Sequence, residues 1–131
     1  MNKKKNEELM RKANEALQNT QVMIVKPNKV DIKESYNGQT AALGVTIAMS
    51  GLRPALAIYQ KETEGCKRLE ILNAIAVMMN IVSTENEKPG ETLFRTVLGC
   101  NDAELKGYKT DVINCSIALK QVIRTYNLVK S

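Results

Sequence analysis

Histidine and tryptophan are both absent from the 131-residue sequence. Histidine is the commonest general base at neutral pH and a frequent zinc ligand. Without histidine, the chain cannot form a Ser-His or Cys-His nucleophilic site, and it lacks the usual ligand of zinc. We therefore expect a protein that is not an enzyme and that holds no metal or other cofactor.

Glycine motifs, paired cysteines and long apolar segments are also missing. The seven glycines form neither a phosphate-binding loop nor a dinucleotide-binding fingerprint. The three cysteines, Cys66, Cys100 and Cys115, form no CxxC pair, and no apolar segment follows the basic N-terminal residues. We expect a cytoplasmic protein with reduced thiols. Cys66 lies beside Lys67, but it has no acid–base partner and should be inert.

The residues that are present indicate a single helical domain over residues 1–131, with residues 1–5 flexible. A chain of this length can bury a substantial core, and 44% of its residues are hydrophobic. The net charge of +5 favours a polyanionic partner, although many unrelated proteins carry a similar excess.

The most apolar stretch, RLEILNAIAVMMNIV at residues 68–82, predicts the central helix. Its apolar residues point in nearly every direction around a helix, so the helix needs cover on several sides. A buried strand is the alternative, but a stretch of this length without Gly or Pro exceeds normal strand length. The expected fold is therefore all-α, a compact bundle of five to six helices around a central apolar helix at about residues 67–82.

A charged helix should open the chain. Asn6 is a candidate N-cap, and the helical period continues to about Met23. The following segment, KPNKVDIKES at residues 26–35, has neither a helical nor a strand period and predicts a connecting loop.

Residues 36–50 favour a helix, but apolar residues within 41–49 also alternate as they would in a strand, so both remain open there. Gly44 would weaken this helix unless another helix crosses closely at that point. Gly51 suits a left-handed helix cap, and Pro54 suits the first turn of a second helix ending near residues 63–65. Arg53, which precedes the proline, should be extended.

The run SGLRPALAIY at residues 50–59 resembles the "GL-x-x-ALA-aromatic" signature of the small helical subunit of type III-B, Cmr-type, CRISPR effector complexes. Members of that family are short, nearly all-helical chains with a charged first helix and a loop before the GL segment. Their closing helix begins near a Tyr, which would be Tyr108 here, and Ile117-Ala118-Leu119 stands where the family tends to have an E-A-L run. Residues 124–127, RTYN, depart from the family's frequent Trp-Leu-Lys-Arg group.

The resemblance implies a non-catalytic subunit of an RNA-guided ribonucleoprotein that degrades target RNA in antiviral defence. Its partners would be other Cmr-type subunits, further copies of this chain lying side by side, guide RNA and target RNA. The cutting would belong to other subunits. The alternative from the residues alone is a helical adaptor or regulatory module that binds protein and not RNA.

The C-terminal part predicts a short helix at residues 91–98 and then the most regular helix of the chain. Asn101 and Glu104 form a candidate capping box at its start. Its apolar seam steps by four and three residues through Tyr108, Val112, Cys115, Leu119, Val122, Tyr126 and Val129. The seam can pack against the central helix of the same chain.

The opposite side of this last helix mixes apolar and cationic side chains, which predicts a contact surface. Its apolar members, Ile113, Ile117 and Leu128, are the predicted protein interface. Cations neutralise phosphates without reading sequence, so the candidate RNA-binding residues are Arg53, Lys67, Arg68, Lys106, Lys109, Lys120 and Arg124. A solvated surface is the alternative for each of them, and Arg53 could instead cap a neighbouring helix. Few aromatic residues are available to stack unpaired bases.

Overall fold

The computed structural model describes residues 2–62 and 65–130, a part of the chain that is mostly helical with one small sheet. The helices are α1 (Lys3–Gln18), α2 (Glu34–Ser50), α3 (Leu52–Ile58), α4 (Arg68–Met78), α5 (Pro89–Gly99) and α6 (Asp102–Ile123). The strands are β1 (Met23–Val25), β2 (Val30–Lys33) and β3 (Asn127–Val129). The all-α prediction is therefore wrong in that three strands form a sheet. Within the described residues, no helix is long and apolar enough to cross a membrane.

The apolar helix α4 packs against α1, α2, α5 and α6, and eight of its 11 residues are buried. Two of the buried residues, Glu70 and Asn73, are polar. The Glu70 carboxylate accepts hydrogen bonds from the Asn73 side-chain amide at 3.3 Å and from the Gln21 N–H at 2.9 Å. The Asn73 oxygen accepts from the Gly90 N–H at 2.8 Å. These bonds offset the cost of burying polar groups and tie α4 to the start of α5.

α4 ends at Met78, whereas the apolar run predicted that it would continue to residue 82. Asn80 adopts a φ of 60°, in the left-handed region, and the Ile81 N–H donates to the Ala76 carbonyl at 2.9 Å. This backbone turn commonly closes helices, usually at Gly or Asn. Val82 lies beyond it and is 87% exposed.

The first helix begins earlier than predicted, because Asn2 and not Asn6 is its N-cap. The Asn2 side-chain oxygen accepts a hydrogen bond from the Lys5 N–H at 2.8 Å. α1 also ends earlier, at Gln18, so Met23 belongs to β1.

α2 is continuous, so residues 41–49 are helical and the strand alternative is excluded. Gly51 has a φ of 89° and separates α2 from α3, as the sequence predicted. Arg53 is helical, although it precedes a proline, because α3 already begins at Leu52. α3 ends at Ile58; the predicted end near residues 63–65 falls partly on residues 63 and 64, which lie outside the described residues.

The predicted loop at residues 26–35 is wrong, because β2 and the start of α2 lie there. β1 pairs with β2 in an antiparallel hairpin, and β2 pairs with β3 in parallel, with Ile32 opposite Leu128. Asp31 is buried at the junction, where it accepts from the Asn127 amide at 2.8 Å and pairs with Lys26 at 2.7 Å. The Asn127 hydrogen bond and the Lys26 ammonium lower the pKa of the Asp31 carboxyl.

The last helix is shorter than its heptad pattern predicts. α6 ends at Ile123, so Tyr126 and Val129 do not continue its apolar seam. The Tyr126 hydroxyl instead donates to the Asn14 side chain of α1 at 2.5 Å, and Val129 pairs with Lys33 in the sheet.

Candidate nucleic-acid and protein interface

The helix α6 carries most of the predicted contact residues, and it begins where the sequence predicted. The Asn101 side chain accepts from the Glu104 N–H at 2.8 Å, and the Glu104 carboxylate accepts from the Asn101 N–H at 3.2 Å. This reciprocal pair is a complete capping box. The buried side of α6 faces α1, α2 and α4 and consists of Val112, Cys115, Ser116, Ala118, Leu119, Val122 and Ile123.

The outer side of α6 brings together six predicted residues, and we call this set the α6 outer face: Lys106, Lys109, Ile113, Ile117, Lys120 and Arg124. Lys106 and Lys109 are exposed, whereas Lys120 is partly buried. The Arg124 guanidinium donates to the Asn37 side-chain oxygen at 3.3 Å. Within the described residues, none of these four cations forms an ion pair.

Leu128 does not belong to this face. The sequence placed it on the last helix beside Ile113 and Ile117, but it lies in β3 and packs partly buried against the core. The chain leaves the helix after Ile123, and pairing of β3 with β2 then sets the direction of this side chain.

Arg53 lies apart from α6 and is engaged in the fold. Its guanidinium donates to the Val97 carbonyl at 3.1 Å and to the Cys100 carbonyl at 2.6 Å. These carbonyls lie at the C-terminal end of α5, where a cation is favourable to the helix dipole. The contacts support the capping interpretation of Arg53 over a contact with phosphate.

Lys67 and Arg68 form a second cationic site at the start of α4. The Lys67 ammonium donates to the Gln21 side chain at 3.1 Å. Arg68 donates to the Lys61 carbonyl at 3.1 Å and lies over the Tyr59 ring, 5.4 Å from its centroid. Lys67 also lines a cavity of about 470 Å³. These two residues therefore belong to a different part of the surface from the α6 outer face.

Two of the three thiols, Cys66 and Cys115, are buried. Burial raises the pKa of Cys66, and burial together with the Asp111 carboxylate raises the pKa of Cys115 to about 11. Both thiols are therefore protonated at neutral pH. A nucleophile or a metal ligand would need to be a thiolate, so neither cysteine suits these roles. Among the described residues, no group of three or more His, Cys, Asp or Glu side chains could hold a metal ion.

The outer side of α2 is a surface that the sequence did not predict. Val45 is 59% exposed and Met49 is 82% exposed. The predicted close helix crossing at Gly44 is wrong, because a Cβ added there would meet no atom within 4 Å. Gly44 instead lines an open groove between α2 and α6. A signal was available in the sequence, since no charged residue occurs between Glu34 and Arg53.

Comparison of the chain with models of protein families, with curated proteins and with solved structures finds no match. The resemblance to Cmr-type small subunits remains a prediction from residues 50–59, Tyr108, Ile117-Ala118-Leu119 and the order of the helices. In the fold, residues 50–59 form the break between α2 and α3 and then bury Leu52, Ala55 and Leu56. The Tyr59 hydroxyl closes the segment by donating to the Gln39 carbonyl at 2.7 Å.

Proposed function

We propose that this chain is the small, non-catalytic subunit of a type III-B, Cmr-type CRISPR effector ribonucleoprotein. In this proposal, a helical bundle around α4 lies along the complex in the cytoplasm and binds the backbone of guide and target RNA in antiviral defence. The observation that carries the proposal is the α6 outer face, where four cations lie together without a carboxylate partner among the described residues.

The chemistry of this face suits a phosphate backbone. Lys106, Lys109 and Arg124 are exposed and are spread over about 27 Å along α6 and its C-cap, so they suit phosphates spaced along a duplex and not consecutive phosphates of one strand. The face carries no aromatic side chain, so it has no platform for stacking unpaired bases. We therefore expect binding that is salt-sensitive and independent of base sequence.

A non-enzymatic role follows from the same proposal. The sequence has no histidine, and the raised pKa values of Cys66 and Cys115 leave these thiols uncharged. Catalysis would then belong to other subunits, and this chain would contribute surface to the channel that holds the RNA. Its partners would be those subunits and further copies of itself.

The first test is affinity purification of the tagged chain from its native cells at low salt, with sequencing of co-purified RNA and identification of co-purified proteins. The proposal expects short repeat-tagged RNAs together with larger Cmr-type subunits. Recovery of one unrelated protein and no RNA would overturn it.

The second test measures RNA binding by fluorescence anisotropy of a labelled RNA duplex between 50 and 200 mM salt. We expect Lys106→Glu with Lys109→Glu to lower the slope of log affinity against log salt by about 1.5, because each lost phosphate contact removes roughly 0.7–0.9. The matched control is Lys61→Glu with Lys88→Glu, which makes the same change of charge at exposed residues outside α6. An equal decrease of the slope in the control variant would show that RNA binding depends on net charge alone and not on the α6 outer face.

A protein-binding adaptor without RNA binding is the second candidate. The groove between α2 and α6 favours it, since exposed apolar residues suit protein contacts more than phosphates. Such a complex would keep its affinity between 50 and 200 mM salt, whereas RNA binding through several phosphates would weaken by orders of magnitude.

A further inference from the structure

The outer side of α2 is apolar along its length. Beyond Glu34, its exposed residues are uncharged, and they include Ala41, Val45, Ala48 and Met49. At 1.5 Å per residue, this 17-residue helix is about 25 Å long. A helix that is uncharged on its exposed side is unusual on a surface, because the charged residues that normally face water are missing.

A groove runs between this side of α2 and the α6 outer face. Its volume is about 330 Å³, and it is lined by Thr40, Ala41, Gly44 and Val45 of α2 and by Ile113, Ser116, Ile117 and Lys120 of α6. Ile117 is 38% exposed and Val45 is 59% exposed, so apolar side chains line both walls. The open space at Gly44 lets a side chain from another molecule approach the backbone of α2.

The two walls of the groove differ in charge. On α6, Lys120 lines the groove, and Lys109 and Arg124 lie on the same outer face. On α2, no charged residue follows Glu34. The groove therefore combines apolar side chains on both walls and two buried hydroxyl residues, Thr40 and Ser116, with the positive charge of Lys120 on one border. RNA suits this arrangement poorly, since phosphates gain nothing from Val45 and Met49 and no aromatic residue lines the groove.

We propose that the groove between α2 and α6 is the docking site for an amphipathic helix of a different protein. Charge complementarity defines this helix: its apolar face contacts Val45 and Ile117, and carboxylates along one border pair with Lys120 and Arg124. An apolar helix laid in a groove and positioned by charged residues at its border is a recurrent mode of peptide recognition. The site shares Lys120 and Arg124 with the α6 outer face, so a helix docked in the groove leaves Lys106 and Lys109 for the RNA contacts of the proposed function.

Site-specific crosslinking identifies the occupant of the groove. A benzophenone-bearing phenylalanine replaces Val45 in the full chain, which is irradiated in its native cells, and the crosslinked peptide is sequenced by mass spectrometry. We expect a segment of another protein with apolar residues three and four apart and Asp or Glu on one side. A crosslink to RNA, to a second copy of this chain or to a basic segment would overturn the proposal, as would no crosslink at all.

The control for position is the same substitution at Val82, which is also an exposed valine but lies after α4. The groove predicts that position 82 does not crosslink to the segment found at position 45. The same segment at both positions would mean that contact is not specific to the groove and would overturn the proposal.

A charge test on the identified segment completes the experiment. The segment is synthesised, and its affinity for the purified full chain is measured. We expect Lys120→Glu to weaken binding at least ten-fold, Lys120→Arg to retain it, and Lys88→Glu to leave it unchanged. Equal affinities for the wild type and the Lys120→Glu variant would overturn the proposal. The substitutions at Lys106 and Lys109 test RNA binding separately, so failure of one proposal is distinguishable from failure of the other.

Discussion

α2 and α4 both lack a strongly charged side, but their surroundings differ. α2 has one charged residue, Glu34, and α4 has two, Arg68 and Glu70. α4 packs against four other helices and buries eight of its 11 residues, whereas α2 buries only Tyr36, Thr40, Leu43 and Ile47. An apolar sequence therefore shows that a helix needs cover, but it does not show whether the same chain supplies that cover. In our proposal, a helix of another protein packs against the exposed outer side of α2.

The largest expected effect on the unfolding free energy comes from truncating one apolar side chain of each helix to alanine. Leu72 of α4 is fully buried, so Leu72→Ala should cost about 2–5 kcal/mol of unfolding free energy through lost contacts and a cavity. Val45 of α2 is 59% exposed, so Val45→Ala should change the unfolding free energy by no more than about 0.5 kcal/mol. Urea denaturation of the purified chain measures both. Equal losses would mean that the outer side of α2 is already covered.

A pair of glycines sharpens the same contrast. A Cβ at Gly90 would lie 2.8 Å from the Leu72 Cβ and 3.0 Å from the Asn73 backbone nitrogen, so Gly90→Ala should destabilise the chain by about 1–3 kcal/mol. A Cβ at Gly44 meets no atom within 4 Å, so Gly44→Ala should stabilise α2 by up to about 1 kcal/mol. Thermal denaturation should shift in opposite directions for the two variants, and shifts in the same direction would contradict the prediction.

The smallest expected effect is a pH dependence of the unfolding free energy that arises from Cys115, on the buried side of α6. The pKa of Cys115 is raised from 9.0 to about 11 by burial, so the folded state holds its proton more tightly than the unfolded state does. The stabilisation is full below pH 9 and is lost as the pH rises toward 11; it should fall by about 1 kcal/mol at pH 10.

Urea denaturation at pH 8 and pH 10 measures this loss, and Cys115→Ala should reduce it. Cys66, Tyr36 and Tyr59 also have raised pKa values, so the difference between wild type and variant isolates Cys115. Ser116→Ala is the control, because Ser116 lines the groove beside α2 and does not titrate. An unchanged pH dependence in Cys115→Ala would contradict the assignment.

Some local signals in the sequence predicted local structure, whereas others, such as Asn6 as an N-cap and the loop at residues 26–35, did not. The Asn101 and Glu104 pair predicted the start of α6, and Gly51 predicted the break between α2 and α3. The continuous apolar run correctly predicted a helix at α4. Its early end was not predictable from the hydrophobic pattern, because the helix is closed by the left-handed backbone of Asn80 within an apolar run.

The sheet and part of the candidate site depended on contacts between distant residues. β2 and β3 have four and three residues, too few to show an alternating period, and each is stabilised by pairing with the other. For the same reason, the heptad pattern extended the last helix to Val129 and placed Leu128 on its face. The α6 outer face was predictable from helical spacing, whereas the groove was not, because it needs the position of α2 beside α6.

Completion of the sheet depends on the order in which the residues are synthesised. Asp31 and Asn127 bond across a separation of 96 residues, whereas β1 and β2 form a hairpin between near neighbours. Closing the longer loop costs more chain entropy, and such distant pairing is slow. On the ribosome, the hairpin can form once its own residues emerge, but β3 follows every helix. Until residues 127–129 emerge, one edge of β2 therefore has no β3 to pair with, although the hairpin can already be complete.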